Sequence, residues 1–179
     1  MDLSVRIAND NISAMMTLAL KSKDESYRIS KADEKIPNTR KKLDGYLKDI
    51  KKGLETEDQD LIQTSSQALL DILVKELNIV TDGRPIKIST GSKRVVNITP
   101  KGKTIKHGHF TYRPTGRHHS IIIASRTGTT NKYTTIKQFM KTFAHELIHV
   151  YDTFVLGIRT VHTSGFYIRT DKLYKQFNL

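Results

Sequence analysis

The sequence predicts an α+β fold, a small three-stranded sheet packed on one long helix with additional helices ahead of it. Three observations predict it. Apolar residues recur at three- and four-residue spacing in stretches on either side of the chain's middle. Between them, from about 85 to 125, the pattern changes to short runs of β-formers separated by Gly and Ser. The length of 179 residues, 37% of them hydrophobic, suits one compact domain plus an extension.

Taken in order, residues 1–35 are polar and irregular, with a short apolar patch at Ile12, Met15, Met16, Leu18 and Leu20. Lys21 to Glu34 mixes charge with Ser and offers little to bury, so a flexible basic arm is expected over 1–35. After Pro37, residues Leu43, Tyr46, Leu47, Ile50 and Leu54 mark one helix face, which Gly53 is expected to end; a helical extension is assigned to 36–59. Thr56-Glu57-Asp58-Gln59 fits a capping box that starts a second helix, carried by Leu61, Ile62, Leu69, Ile72, Leu73 and Leu77 to about Asn78. Beyond Asp82-Gly83, the segments Pro85–Ser89, Lys106–Pro114 and Ser120–Ser125 read as strands, with loops at 90–104 and 126–133. Thr135-Ile136-Lys137-Gln138 again fits a capping box. Ile136, Phe139, Met140, Phe143, Leu147 and Tyr151 give the helix that follows its apolar face, and Gly157 is a natural stop. Ser164 to Leu179 reads as a last short helix.

Composition narrows the function. The chain has no cysteine, which excludes disulfides, thiolate metal sites and a cysteine nucleophile, so a bound metal must rest on His, Asp or Glu. No apolar run is long enough to cross a bilayer and no signal peptide opens the chain, so an intracellular protein without a membrane partner is expected, cytoplasmic or DNA-associated. The net charge is +12, and no acidic residue occurs between Asp82 and Glu146, a stretch with thirteen Lys and Arg. Such an uncompensated positive field suits phosphate backbones. Arg113, Arg117 and Arg126, at expected strand ends, and Lys132 are the candidates for nucleic-acid contact.

The chemistry concentrates at His145-Glu146-Leu147-Ile148-His149. A spacing of four residues stacks the two imidazoles on one side of a helix, a turn apart, which suits two ligands of one zinc ion. Glu146 lies at the edge of the same face, able to serve as a base beside the metal without ligating it. A catalytic site needs a third protein ligand. His107, His109, His118, His119 and His162 are available, whereas Asp152, three residues past His149, is better placed to orient a ligand His.

The segment His162-Thr163-Ser164-Gly165-Phe166, following the His-Glu-x-x-His helix after a modest loop, resembles the third-ligand stretch of the SprT-like (Spartan-type) zinc metallopeptidase family. The resemblance spans about residues 60–179 and includes the preceding helix and three short strands. It implies a zincin-like minimal metallopeptidase domain with His145, His149 and His162 holding Zn2+ and Glu146 catalytic. It further implies a protease of DNA-crosslinked or DNA-bound proteins. Thr163 stands where that family often has Gly, and there is no cysteine zinc ribbon. The run His145 to Asp152 also resembles the active-site helix of mitochondrial inner-membrane processing peptidases, which are rich in cysteines. Two other functions fit the same residues: a nucleic-acid-binding protein with a structural or degenerate zinc site, and a zinc peptidase whose substrate is independent of DNA.

Overall fold

Five helices and five strands make up the described part of the chain, residues 20–39, 43–99, 102–159 and 161–179 of a computed structural model. In order they are α1 (Lys23–Ala32), α2 (Asp44–Thr56), α3 (Gln59–Glu76), β1 (Ile86–Ser89), β2 (Val95–Thr99), β3 (Gly102–Lys106), β4 (Gly108–Thr111), β5 (His119–Ile123), α4 (Ile136–Phe154) and α5 (Ser164–Lys175). The mixed α+β class agrees with the sequence, as does a three-stranded sheet, whose order is β1-β5-β4. β1 runs parallel to β5, with Ile86 opposite His119 and Ile88 opposite Ile121. β4 runs antiparallel, with Gly108 opposite Ile123 and Phe110 opposite Ile121.

Alternation decides which face of the sheet is covered. Ile86, Ile88, Ile121 and Ile123 are buried while Lys87 and Ser89 are exposed, the period of two expected of a half-buried sheet. The isoleucines join Leu69, Leu70 and Leu73 of α3 and Phe139, Phe143 and Leu147 of α4 in one core. The outer edge of β1 is sealed by two glutamines of α3. Gln67 donates to Ile86 O (3.1 Å) and accepts from Ile88 N (3.0 Å), and Gln63 does the same for Ile88 O (2.7 Å) and Thr90 N (3.0 Å). These amides stand in for a missing strand, so the open edge of the sheet is β4.

Four features depart from the sequence reading. The stretch read as mobile arm contains α1, capped by Ser22, whose Oγ accepts from Glu25 N (3.3 Å). Its buried residues are Ser26 and Ser30, so hydrogen bonds rather than an apolar stripe dock it, and hydropathy gives no sign of it. The apolar patch at 12–20 lies outside the described residues, apart from Leu20. α2 continues through Gly53 to Thr56, because Gly53 is where α3 crosses: a Cβ there would meet Ile62 Cγ1 at 2.8 Å. Asp58, not Thr56, caps α3, its Oδ1 accepting from Leu61 N (3.0 Å). Finally, the loop expected over 90–104 carries β2 and β3, a separate hairpin with Val96 opposite Ile105 and Ile98 opposite Lys103. Among the described residues no helix is long and apolar enough to cross a membrane.

Candidate metal centre

The N-cap half of the capping box is realised: Thr135 Oγ1 accepts from Gln138 N (3.3 Å). α4 then carries His145 and His149 one turn apart, with their ring centroids 4.7 Å from each other. At the far end Gly157 turns the chain with φ +62°, a conformation that L side chains rarely adopt, and the returning loop brings His162 to the same spot. The three Nε2 atoms form a triangle of 3.1 Å (His145–His149), 3.2 Å (His145–His162) and 3.1 Å (His149–His162).

These three histidines lie close enough to hold a metal ion. A tetrahedral ion at the usual zinc–imidazole distance would space its nitrogens by about 3.3–3.4 Å, close to what is seen. Protons alone do not explain the cluster. A neutral ring nitrogen is either donor or acceptor, so at least one side of the triangle must set like against like, whereas a cation accepts all three lone pairs. Burial, chiefly, lowers the His145 pKa to about 4 and that of His149 to about 3, with charge repulsion inside the cluster adding to it. Both rings are therefore neutral at pH 7, the form that binds metal.

Phe166 of α5, fully buried, is the shared wall of the cluster. It stacks on His149 (4.6 Å between centroids) and meets His145 (4.9 Å) and His162 (5.0 Å) edge-on. Phe166→Ala is expected to cost about 3–5 kcal/mol of stability and to weaken metal binding, read together by thermal denaturation with and without Zn2+. An unchanged gain in stability on adding Zn2+ would separate Phe166 from the cluster.

Glu146 is buried. Oε2 is buried without a hydrogen-bond partner. Burial raises the carboxyl pKa to about 7, against the opposing pull of the Phe110 amide and Lys106. His145 and Glu146 line one cleft of about 400 Å³ together with Lys106, Gly108, Gln138, Lys141 and Thr142. At Gly108 a Cβ would lie 3.1 Å from Glu146 Oε1 and 2.8 Å from Thr142 Cγ2, so the absence of a side chain lets β4 approach α4 here.

Asp152 does not orient a ligand imidazole. Both its oxygens take a hydrogen bond from Arg169 Nη2 of α5 (2.8 Å each), and both residues are fully buried. Desolvation pushes the Asp152 pKa up to about 6, while the Arg169 guanidinium works against that rise. His149 Nδ1, by contrast, is buried and unpartnered. Arg169 escapes sequence reading because Arg is ordinarily exposed, yet its spacing after Phe166 and before Leu173 puts a charge on the buried face of α5, and that is the signal.

The four candidate nucleic-acid residues are not brought into one patch. Arg113 and Arg117 are exposed in the loop preceding β5, whereas Arg126 and Lys132 follow it, beyond the opposite end of the strand. Arg126 is occupied: Nη2 donates to Tyr133 Oη (2.6 Å) and the guanidinium lies 4.5 Å over that ring. The exposed cations at the cleft are instead Lys106 and Lys141. His119 lies buried away from the cluster, with Nε2 2.9 Å from Asp82 Oδ1, its ring stacked on Tyr112, and Arg84 bridging Asp82 to the carbonyls of Arg113 and Pro114. This network pins the β4–β5 loop and plays no part in the metal centre. No family model matches the chain, and neither does any curated protein or solved structure.

Proposed function

We propose that the chain is a zinc-dependent endopeptidase of the SprT-like kind, acting on proteins bound or crosslinked to DNA. The observation that carries the reading is the convergence of three imidazole nitrogens beside a buried carboxylate with an unpartnered oxygen, in a cleft bordered by an open sheet edge. A sheet laid along a His-Glu-x-x-His helix fits a zincin-like minimal metallopeptidase. Zinc supplies a Lewis acid that acidifies water and polarises a carbonyl. The chain's own residues do the rest. His145, His149 and His162 hold the ion. Glu146 Oε2 takes the proton of the attacking water and returns it to the leaving amine as the C–N bond breaks. The free edge of β4 offers backbone groups, those of Gly108 among them, to an extended segment of substrate. Exposed Lys106 and Lys141 beside Glu146, with Lys93 nearby on an adjoining groove, favour a polyanion close to the scissile bond.

The test is cleavage of a basic DNA-binding protein with and without single-stranded DNA, alongside a chelator control. Cleavage that needs DNA and is lost to the chelator supports the reading. Cleavage indifferent to DNA keeps the peptidase and removes the nucleic acid, and binding of DNA and metal without cleavage points to a binding module.

A pH dependence follows from the buried base. Glu146 works as the carboxylate, so activity is present above its pKa and lost as pH falls through it. The raised value places that acid limb near pH 7, and the charge of a bound divalent ion moves it lower. A profile of kcat/KM that is flat from pH 4 to 8 would count against Glu146 as the base.

A further inference from the structure

We propose that α1 positions the third metal ligand and that Ser30 is the residue through which it acts. The inference rests on the three-histidine centre. His145 and His149 are fixed by one helix, but His162 comes from a loop outside any helix or strand. Thr163 N donates to Val161 O (3.0 Å), closing a three-residue turn with His162 at its apex. A single hydroxyl reaches both flanks of that turn. Ser30 Oγ, fully buried, lies 2.8 Å from Thr163 Oγ1 and 3.4 Å from Val161 O.

One arrangement of protons satisfies the group. Phe166 N donates to Thr163 Oγ1 (3.2 Å), Thr163 Oγ1 donates to Ser30 Oγ, and Ser30 Oγ donates to Val161 O. Arg169 Nη2 adds a hydrogen bond to Ser30 Oγ (3.2 Å). The earlier part of the loop is tied to the same N-terminal segment: Arg159 N donates to Ser26 Oγ (2.9 Å), and Lys21 N to Gly157 O (3.0 Å). Gly165 makes the approach feasible, since a Cβ there would fall 2.2 Å from Ser30 O. The loop that presents His162 is thus held at Gly157, Arg159, Val161 and Thr163 by residues among 21–30, which belong to no part of the His-Glu-x-x-His motif.

The experiment uses the full chain and two probes, Zn2+ affinity by competition with a chelating dye and the visible absorption spectrum of bound Co2+. Ser30→Ala is expected to weaken Zn2+ binding about tenfold and to alter the Co2+ spectrum in the direction that His162→Ala alters it. In the His162→Ala background Ser30→Ala should produce no further change, because the ligand it positions is gone. Thr163→Ser, which keeps the hydroxyl, should retain affinity, and Thr163→Val should lose it, giving the same contrast should Ser30→Ala fail to fold. Wild-type affinity and spectrum in Ser30→Ala, or an additive loss in the double variant, would overturn the proposal while leaving the metal centre intact. A wild-type chain that binds no Zn2+ would overturn both.

Discussion

Glu146→Gln is expected to lower cleavage by about 10²–10⁴-fold while Zn2+ stays bound at one ion per chain. The amide is nearly isosteric with the carboxylate it replaces and Glu146 ligates nothing in the imidazole cluster, so the fold and the cluster have no reason to move. What disappears is the proton acceptor at Oε2, the atom left without a partner in the cleft. The comparison is of kcat and metal content in the same preparation. An unchanged rate would remove Glu146 from the chemistry, and simultaneous loss of Zn2+ would recast it as part of the metal's support.

The second large effect is on stability. Asp152→Ala is expected to destabilise the protein by about 3–5 kcal/mol, because it leaves the buried guanidinium of Arg169 without its counter-charge. At about 2–4 °C per kcal/mol for a chain of this size, the melting temperature falls by roughly 6–20 °C. Arg169 joins three elements at once: Asp152 of α4, its own helix α5, and the Ser30 and Asp33 carbonyls at the end of α1. The paired replacement Asp152→Leu with Arg169→Met removes both charges and should recover much of the loss. Urea unfolding of the three chains measures it; a single-variant loss under about 1 kcal/mol would show the pair to be incidental.

These expectations separate what the sequence discloses from what it hides. The helix over Ile136–Phe154 is legible because its cap and its apolar spacing are both local signals, realised at Thr135 and in Phe139, Phe143 and Leu147. The two helical histidines are legible for the same reason, since four-residue spacing fixes their relation. His162 is not fixed by spacing: twelve residues of helix end and loop separate it from His149, and only the resemblance singles it out from the other histidines. α1 is hidden because its buried side is Ser26 and Ser30, whose docking depends on hydrogen bonds to residues some 130 positions away. The β2–β3 hairpin was hidden by its lysines, although Val95, Val96, Ile98 and Ile105 are β-formers; Ile98 remains 83% exposed, so no core burial announces it. Helical position alone sets Asp152 beside the ligands, whereas its partner, Arg169, lies on another helix.

The most direct measurement is a calorimetric titration of Zn2+ into the metal-free full chain, repeated with His145→Ala, His149→Ala and His162→Ala. One site per chain in the wild type, weakened severely by each substitution, is the predicted result. A wild-type chain that takes up no Zn2+, or a site that survives loss of any one of the three histidines unchanged, would contradict the assignment of this cluster as the metal centre.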